Sequence, residues 1–194
     1  MRRRTFDALL TTSGLILALV LVVAGGLLTW AHSFVNNQVT TQLSAQQIYF
    51  PSKGSDALAS PQIKPYLEQY AGQQLTTGEQ ARAYANHFIA VHISEMTGGQ
   101  TYAQLSGKAL ANPNDAKLAA EVNTVFKGET LRGLLLNSYA FWKMGQIALY
   151  GAIAAFGGAL LLLMLSLLGL AHLGGTSETE EVKIGQRHAE TVPA

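Results

Sequence analysis

The sequence predicts an all-α membrane protein, with two antiparallel transmembrane helices flanking an extracytoplasmic helical bundle. Three observations predict it. Between Lys143 and His172 no acidic or basic side chain interrupts a run of Leu, Ala, Ile, Gly and Phe, and a bilayer core about 30 Å thick needs roughly 20 such residues as a helix. A second uncharged run, Ala8–Ala31, closes on Trp30. The stretch between the two runs carries helix starts and stops, among them Thr77 ahead of Gln80, Gly98-Gly99 and Asn112-Pro113-Asn114-Asp115.

Residues 1–7 read as a cytoplasmic N-terminus, because Arg2, Arg3 and Arg4 precede the first span and basic flanks stay inside. The first transmembrane helix covers 8–32. A secretory signal has an apolar region of about 7–15 residues, and Ala8–Ala31 is longer. Thr29-Trp30-Ala31 also puts Thr where a cleavage site prefers a small residue, so this segment reads as an uncleaved signal anchor. Val35, Val39 and Leu43 repeat every four residues and predict that the helix continues outward until Tyr49-Phe50-Pro51.

The extracytoplasmic domain, 33–141, opens with a short helix over Gln62–Ala71 that Gly72 stops. Thr76-Thr77 with Glu79-Gln80 form a capping-box signature. The helix it starts runs to Thr97, with Ala81, Tyr84, Ala85, Phe88 and His92 on one face and Arg82, Asn86 and Ile89 turned away. Tyr102–Leu105 offers a brief helical turn. Asp115 caps a helix carrying Leu118, Val122 and Phe126, which Gly128 closes. Glu129 restarts a helix that runs unbroken into the second span, 142–173, entered through the aromatic and basic belt of Tyr139, Trp142 and Lys143. The tail, 174–194, is polar, lacks apolar periodicity and reads as disordered and cytoplasmic. Basic and acidic residues balance in 33–141, and loops beyond about 60 residues cross regardless of charge. Orientation therefore rests on the N-terminal arginines and leaves both termini inside the plasma membrane.

Composition narrows the function. The net charge of +1 gives no electrostatic footprint for nucleic acid. The absence of cysteine removes disulfides, thiolate metal sites and thiol nucleophiles together.

Small residues form a stripe on each span, and small residues let lipid-embedded helices approach closely. In the first they are Gly14, Ala18, Val22 and Gly25; in the second Ala148, Gly151, Ala152, Ala155 and Ala159. One antiparallel register pairs Gly14 with Ala159, Ala18 with Ala155, Val22 with Gly151 and Gly25 with Ala148. The same stripes could instead face other copies of the chain in a homo-oligomer.

Candidate chemistry is sparse. There is no GxSxG elbow, phosphate-binding Gly loop or HExxH, so no catalytic residue and no cofactor is indicated. Neither span carries the ionisable groups that mark ion paths. His92 and Glu95 are weak metal candidates, about 60° apart on a helix, whereas His87 and His92 project about 140° apart. A two-His-one-carboxylate site would need His32 as a third ligand. The bland alternative is a core-facing His92 hydrogen-bonded to Glu95 or a neighbour, with His87 on a solvated face. Glu129, Arg132 and Asn137, just above the second span, are a candidate interaction surface; the structural alternative is an ordinary helix ion pair.

At GETLRGLLLNSYAFWKMGQIALYG, ANHFIAVHISEMTGGQTYAQLSG and NNQVTTQLSAQQIYFP the chain resembles a family of small two-span membrane proteins from high-GC Gram-positive (actinobacterial) species. The resemblance covers nearly the whole chain. It implies an address and an architecture, and no assigned activity. Some similar chains carry the name "aromatic ring-opening dioxygenase"; the iron site that name implies needs His and carboxylate ligands which the spacing above does not supply. The expected function is that of a non-enzymatic plasma-membrane protein whose outer domain binds or senses a partner, as an accessory or assembly subunit of a membrane complex. Its partners would be the lipid bilayer and other membrane or cell-envelope proteins. The alternatives are a metal-dependent enzyme of dioxygenase type and a subunit of an oligomeric channel.

Overall fold

The computed structural model describes residues 3–175. Arg2, on which the orientation partly rests, and the tail 176–194, expected to be disordered, lie outside the described residues. The described elements are helical: α1 (Arg3–Ala45), α2 (Lys64–Leu67), α3 (Gly78–Tyr84), α4 (Ala90–Thr97), α5 (Tyr102–Ala111) and α6 (Ala116–Gly175). Turns of 3-10 helix lie at Asp56–Leu58 and Glu68–Tyr70, and a π turn at Ala85–Ile89 joins α3 to α4. An isolated antiparallel bridge links Tyr49 and Gln74. Both α1 and α6 are long and apolar enough to cross a membrane. Two compact units result, a paired-helix unit (3–29 with 149–175) and a central unit (30–148).

In the paired-helix unit α1 and α6 run antiparallel and meet through small residues. Ala18, Ala152, Ala155, Ala159 and Gly25 are buried, and Gly14 and Gly151 half-buried. The register differs from the one the stripes suggested. Gly14 faces Ser166, seven residues beyond Ala159; Gly25 faces the Phe156 ring; and Gly151 lies under Leu28 rather than Val22. The slip is two helical turns, about 10 Å at 1.5 Å per residue. Sliding by seven restores the same faces on a helix pair with a heptad seam, so small residues alone could not choose between the two registers. The seam reads Thr11, Ala18, Leu21, Gly25 and Leu28, which leaves Val22 42% exposed and off the contact. Thr11 over Gly169 and Ser166 over Gly14 place both buried hydroxyls against glycine.

The central unit has a core of conventional size. Val39 and Leu43 of α1, Phe50, Leu58, Ile63, Leu67, Leu75, Ala81, Ala85, Ile89, Ile93, Leu105, Val125 and Leu135 are buried together. Thr77 caps α3: its hydroxyl accepts from Gln80 N–H, and Gln80 Oε1 accepts from the Thr77 N–H at 3.0 Å. Gly78 then sits against Trp142, where a methyl group would come within 2.5 Å of the indole Cγ. Trp142, expected in an aromatic belt, is half-buried on the central core.

Three other expectations need correction. Ile89 faces the core instead of turning away, because the buried positions Ala81, Ala85, Ile89, Ile93 and Thr97 recur every four residues. At about 100° per residue that spacing drifts round an α-helix, and the wider π turn takes up the drift. Gly128 does not close a helix; it lies within α6, where its missing side chain admits Ile93 Cδ1 to 2.8 Å from a would-be methyl. The brief turn at Tyr102–Leu105 is a full ten-residue helix, capped by Thr101 and Gln104 in the same reciprocal way as α3. Gly98, at φ 60°, ends α4 as the sequence suggested, and Asp115 Oδ1 accepts from Leu118 N–H at 2.9 Å to start α6.

Candidate functional site

The histidines lie apart, each with its own partner. His92, expected to face the core, is exposed: its Nδ1 donates to the Phe88 carbonyl at 2.8 Å, and its ring leans on the Phe88 ring at 4.4 Å between centroids. Glu95 is exposed on the same helix. His32 Nδ1 donates to the Gly145 carbonyl at 2.9 Å. Among the described residues no three His, Asp or Glu side chains converge as metal ligands. His87, expected on a solvated face, is stacked on Tyr66 with ring centroids 3.6 Å apart and planes 7° from parallel. That burial, and then the nearby Arg82 charge, hold its pKa below the ordinary imidazole value. Burial pushes the Tyr84 phenol up, between the rings of Phe50 and Phe88.

The π turn carries Asn86 and His87, which line one of two charged clefts in the central unit, and Asn86 also meets Arg132 of the other. One cleft, about 330 Å³, is lined by Pro65, Tyr66, Gln69, Tyr70, Glu79, Arg82, Ala83, Asn86 and His87. Arg82 donates to Glu79 at 2.9 Å and its guanidinium lies 5.0 Å from the Tyr139 ring centre. The other cleft, about 610 Å³, runs along Ala90, Ile93, Ser94, Gly99–Ala103, Glu129 and Arg132. Here Arg132 Nη1 donates to Glu129 at 3.1 Å, Nη2 reaches Asn86 Oδ1 at 3.5 Å, and its buried Nε has no hydrogen-bond partner. Glu129 and Arg132 are therefore the helix ion pair the structural alternative expected, extended by a long contact to α3–α4.

Asn137 does not join them. Five residues turn a helix about 140° past Arg132, and Asn137 lines a third, apolar groove of about 440 Å³ with Phe34, Val35, Gln38, Val39, Gln42, Ser138 and Phe141. The predicted trio thus divides between two surfaces. Tyr66, Arg82 and Asn86 were not singled out from sequence, since only the π turn aligns Asn86 with Arg132. Gln38 and Gln42 at four-residue spacing were a readable signal for the groove. The small stripe residues of α1 and α6 belong to the paired-helix unit, apart from Ala148, which is half-buried at the edge of the central unit.

What these surfaces offer is aromatic, amide and hydroxyl contact with two surface ion pairs, a set suited to recognition. Set against known family models, curated proteins and solved structures, the chain matches none of them.

Proposed function

We propose that this chain is a non-enzymatic integral protein of a bacterial plasma membrane, with the central unit outside the cytoplasm and both termini inside. The central unit serves as its interaction or sensor domain, and the chain acts as an accessory or assembly subunit of a membrane complex. One observation carries the membrane part of this reading. The 18-residue apolar windows of α1 and α6 have a mean hydropathy of 2.4, yet only 11% of each window is buried by the rest of the protein. A core helix of a water-soluble protein hides such residues, and large exposed apolar patches mark membrane or protein contact. The interaction part rests on the clefts of the central unit, which present paired charges and aromatic rings.

The test is affinity purification of the full chain in mild detergent, followed by mass spectrometry and metal analysis. The reading expects a second membrane or envelope protein at a fixed ratio, lost when Arg132→Ala or Asn86→Ala is introduced. Stoichiometric iron or zinc that disappears in His92→Ala would replace it with the metal-enzyme alternative.

A further inference from the structure

We propose that the apolar groove between α1 and α6 holds one glycerophospholipid, as a bound component of the protein. The inference rests on the membrane placement proposed above and adds to it a ligand and a site. The groove is graded in polarity along its length. Its end nearest the apolar run of α1 is walled by Phe34, 52% exposed, with Trp30 stacked on it at 5.7 Å, and Phe141, 51% exposed, stands about one turn further along, since Gly145 of α6 lies against Val35. Its far end carries the amides of Gln42 and Asn137 and the Ser138 hydroxyl, with the Gln38 amide midway. From Phe34 to Gln42 the helix rises about 12 Å.

That order matches an amphiphile drawn partly out of a bilayer. An acyl chain would lie along Phe34, Val35 and Phe141, where it shields apolar surface that otherwise meets water or headgroups. The ester and phosphate oxygens of the lipid would then reach the amide N–H groups, which donate to such acceptors. No charged side chain lines the groove, so recognition falls on oxygens shared by glycerophospholipids and not on one headgroup. A peptide helix from a partner fits less well, because a helix has no matching gradient from hydrocarbon to hydrogen-bond acceptor along its axis. The paired charges of Glu79–Arg82 and Glu129–Arg132 line the other clefts and leave this one neutral.

The experiment uses the full chain in liposomes of phosphatidylcholine and phosphatidylglycerol, doped with a phosphatidylcholine that carries a photoreactive diazirine midway along one acyl chain. After irradiation, adducts are mapped by peptide mass spectrometry in the unchanged chain and in Gln38→Trp, which fills the groove from an exposed helix position. The inference expects adducts at Phe34, Val35 and along Asn137–Phe141 that fall about tenfold in Gln38→Trp, as for the loss of most of a binding site. Adducts at the outward-facing Leu17 and Leu160 should stay constant. Adducts confined to Leu17 and Leu160, or groove adducts undiminished by Gln38→Trp, overturn the bound lipid and leave the membrane placement standing. A homodimer in detergent that Gln38→Trp dissociates, without groove adducts, makes a second copy the occupant and overturns it too. No adducts anywhere would remove the membrane placement itself.

Discussion

The two units bury opposite kinds of side chain. In the central unit Leu67 and Leu75 are fully buried, and Phe50, Ile63 and Leu105 nearly so. In the paired-helix unit the contact is made by Ala18, Gly25, Ala152 and Ala159, while Leu10, Leu19, Leu160 and Leu168 point outward, each more than half exposed. The first pattern is what water enforces on a folded domain, at about 25 cal/mol per Å² of apolar surface hidden. The second has no such drive between helices; close backbone approach does the work when the surroundings are themselves apolar. The change of pattern falls near Trp30 and Ala148.

The comparison can be broken most decisively at the helix seam. The sequence has no cysteine, so a double substitution reads cleanly. A methyl at Gly14 would stand 3.8 Å from Ser166 Cβ, the usual separation in a disulfide, about 3.8 Å between β-carbons. Gly14→Cys with Ser166→Cys should cross-link nearly completely under mild oxidant, and Gly14→Cys with Ala159→Cys hardly at all. The reverse yields would restore the register that the small stripes alone suggested.

Why that register was misread is a matter of period. The two long apolar helices, their antiparallel sense and most of the small contact face were legible, because absence of charge over a long run and spacing of small residues are local signals. A seven-residue slip preserves the face, so nothing in the stripe itself marks it. The central unit shows the same division. The Thr77–Gln80 cap and the Gly98 stop were readable, and the Thr101–Gln104 cap was equally present but passed over. The π turn was not readable, since its cause is the need to bury Ile89 and Ile93 on the line of Ala81 and Ala85, a tertiary demand. Gly128 looked like a helix end, yet its role is to make room for Ile93. Of the candidate site, Arg132 and Glu129 were found, while their link to Asn86 depends on that same π turn.

Next in size come substitutions that should act oppositely in the two units. Leu75→Ala removes a fully buried side chain from the central core and should cost about 2–5 kcal/mol, seen as a lower denaturation midpoint and faster proteolysis within 46–115. Gly25→Leu forces a side chain into the Phe156 ring, which already lies 2.9 Å from a would-be methyl, and should cost about 1–3 kcal/mol of pairing. The readout is a fall in the Gly14–Ser166 cross-link with the central unit still folded. If Gly25→Leu were silent and Gly25→Ala likewise, the small-residue contact would not hold the pair together.

The smallest effect is a dependence on pH that belongs to the central unit. His87 has a folded pKa lowered from 6.5 by burial and by Arg82, so folding favours its neutral form. The unfolded chain then binds more protons as the pH falls below about 6.5, and stability declines with it. The contribution is present in full above about pH 6.5 and is lost as the pH falls through the lowered folded value. Thermal midpoints measured from pH 7.5 to 5 should drop less in His87→Gln than in the unchanged chain. Equal slopes would remove His87 as the source.

The most direct test of the account is the sidedness of the central unit. With a protease-sensitive tag inserted at Gly54, in an open turn at φ 79°, and a second tag at the N-terminus, protease added to intact cells should cut the first and spare the second. Cleavage of the N-terminal tag with Gly54 protected would contradict the account.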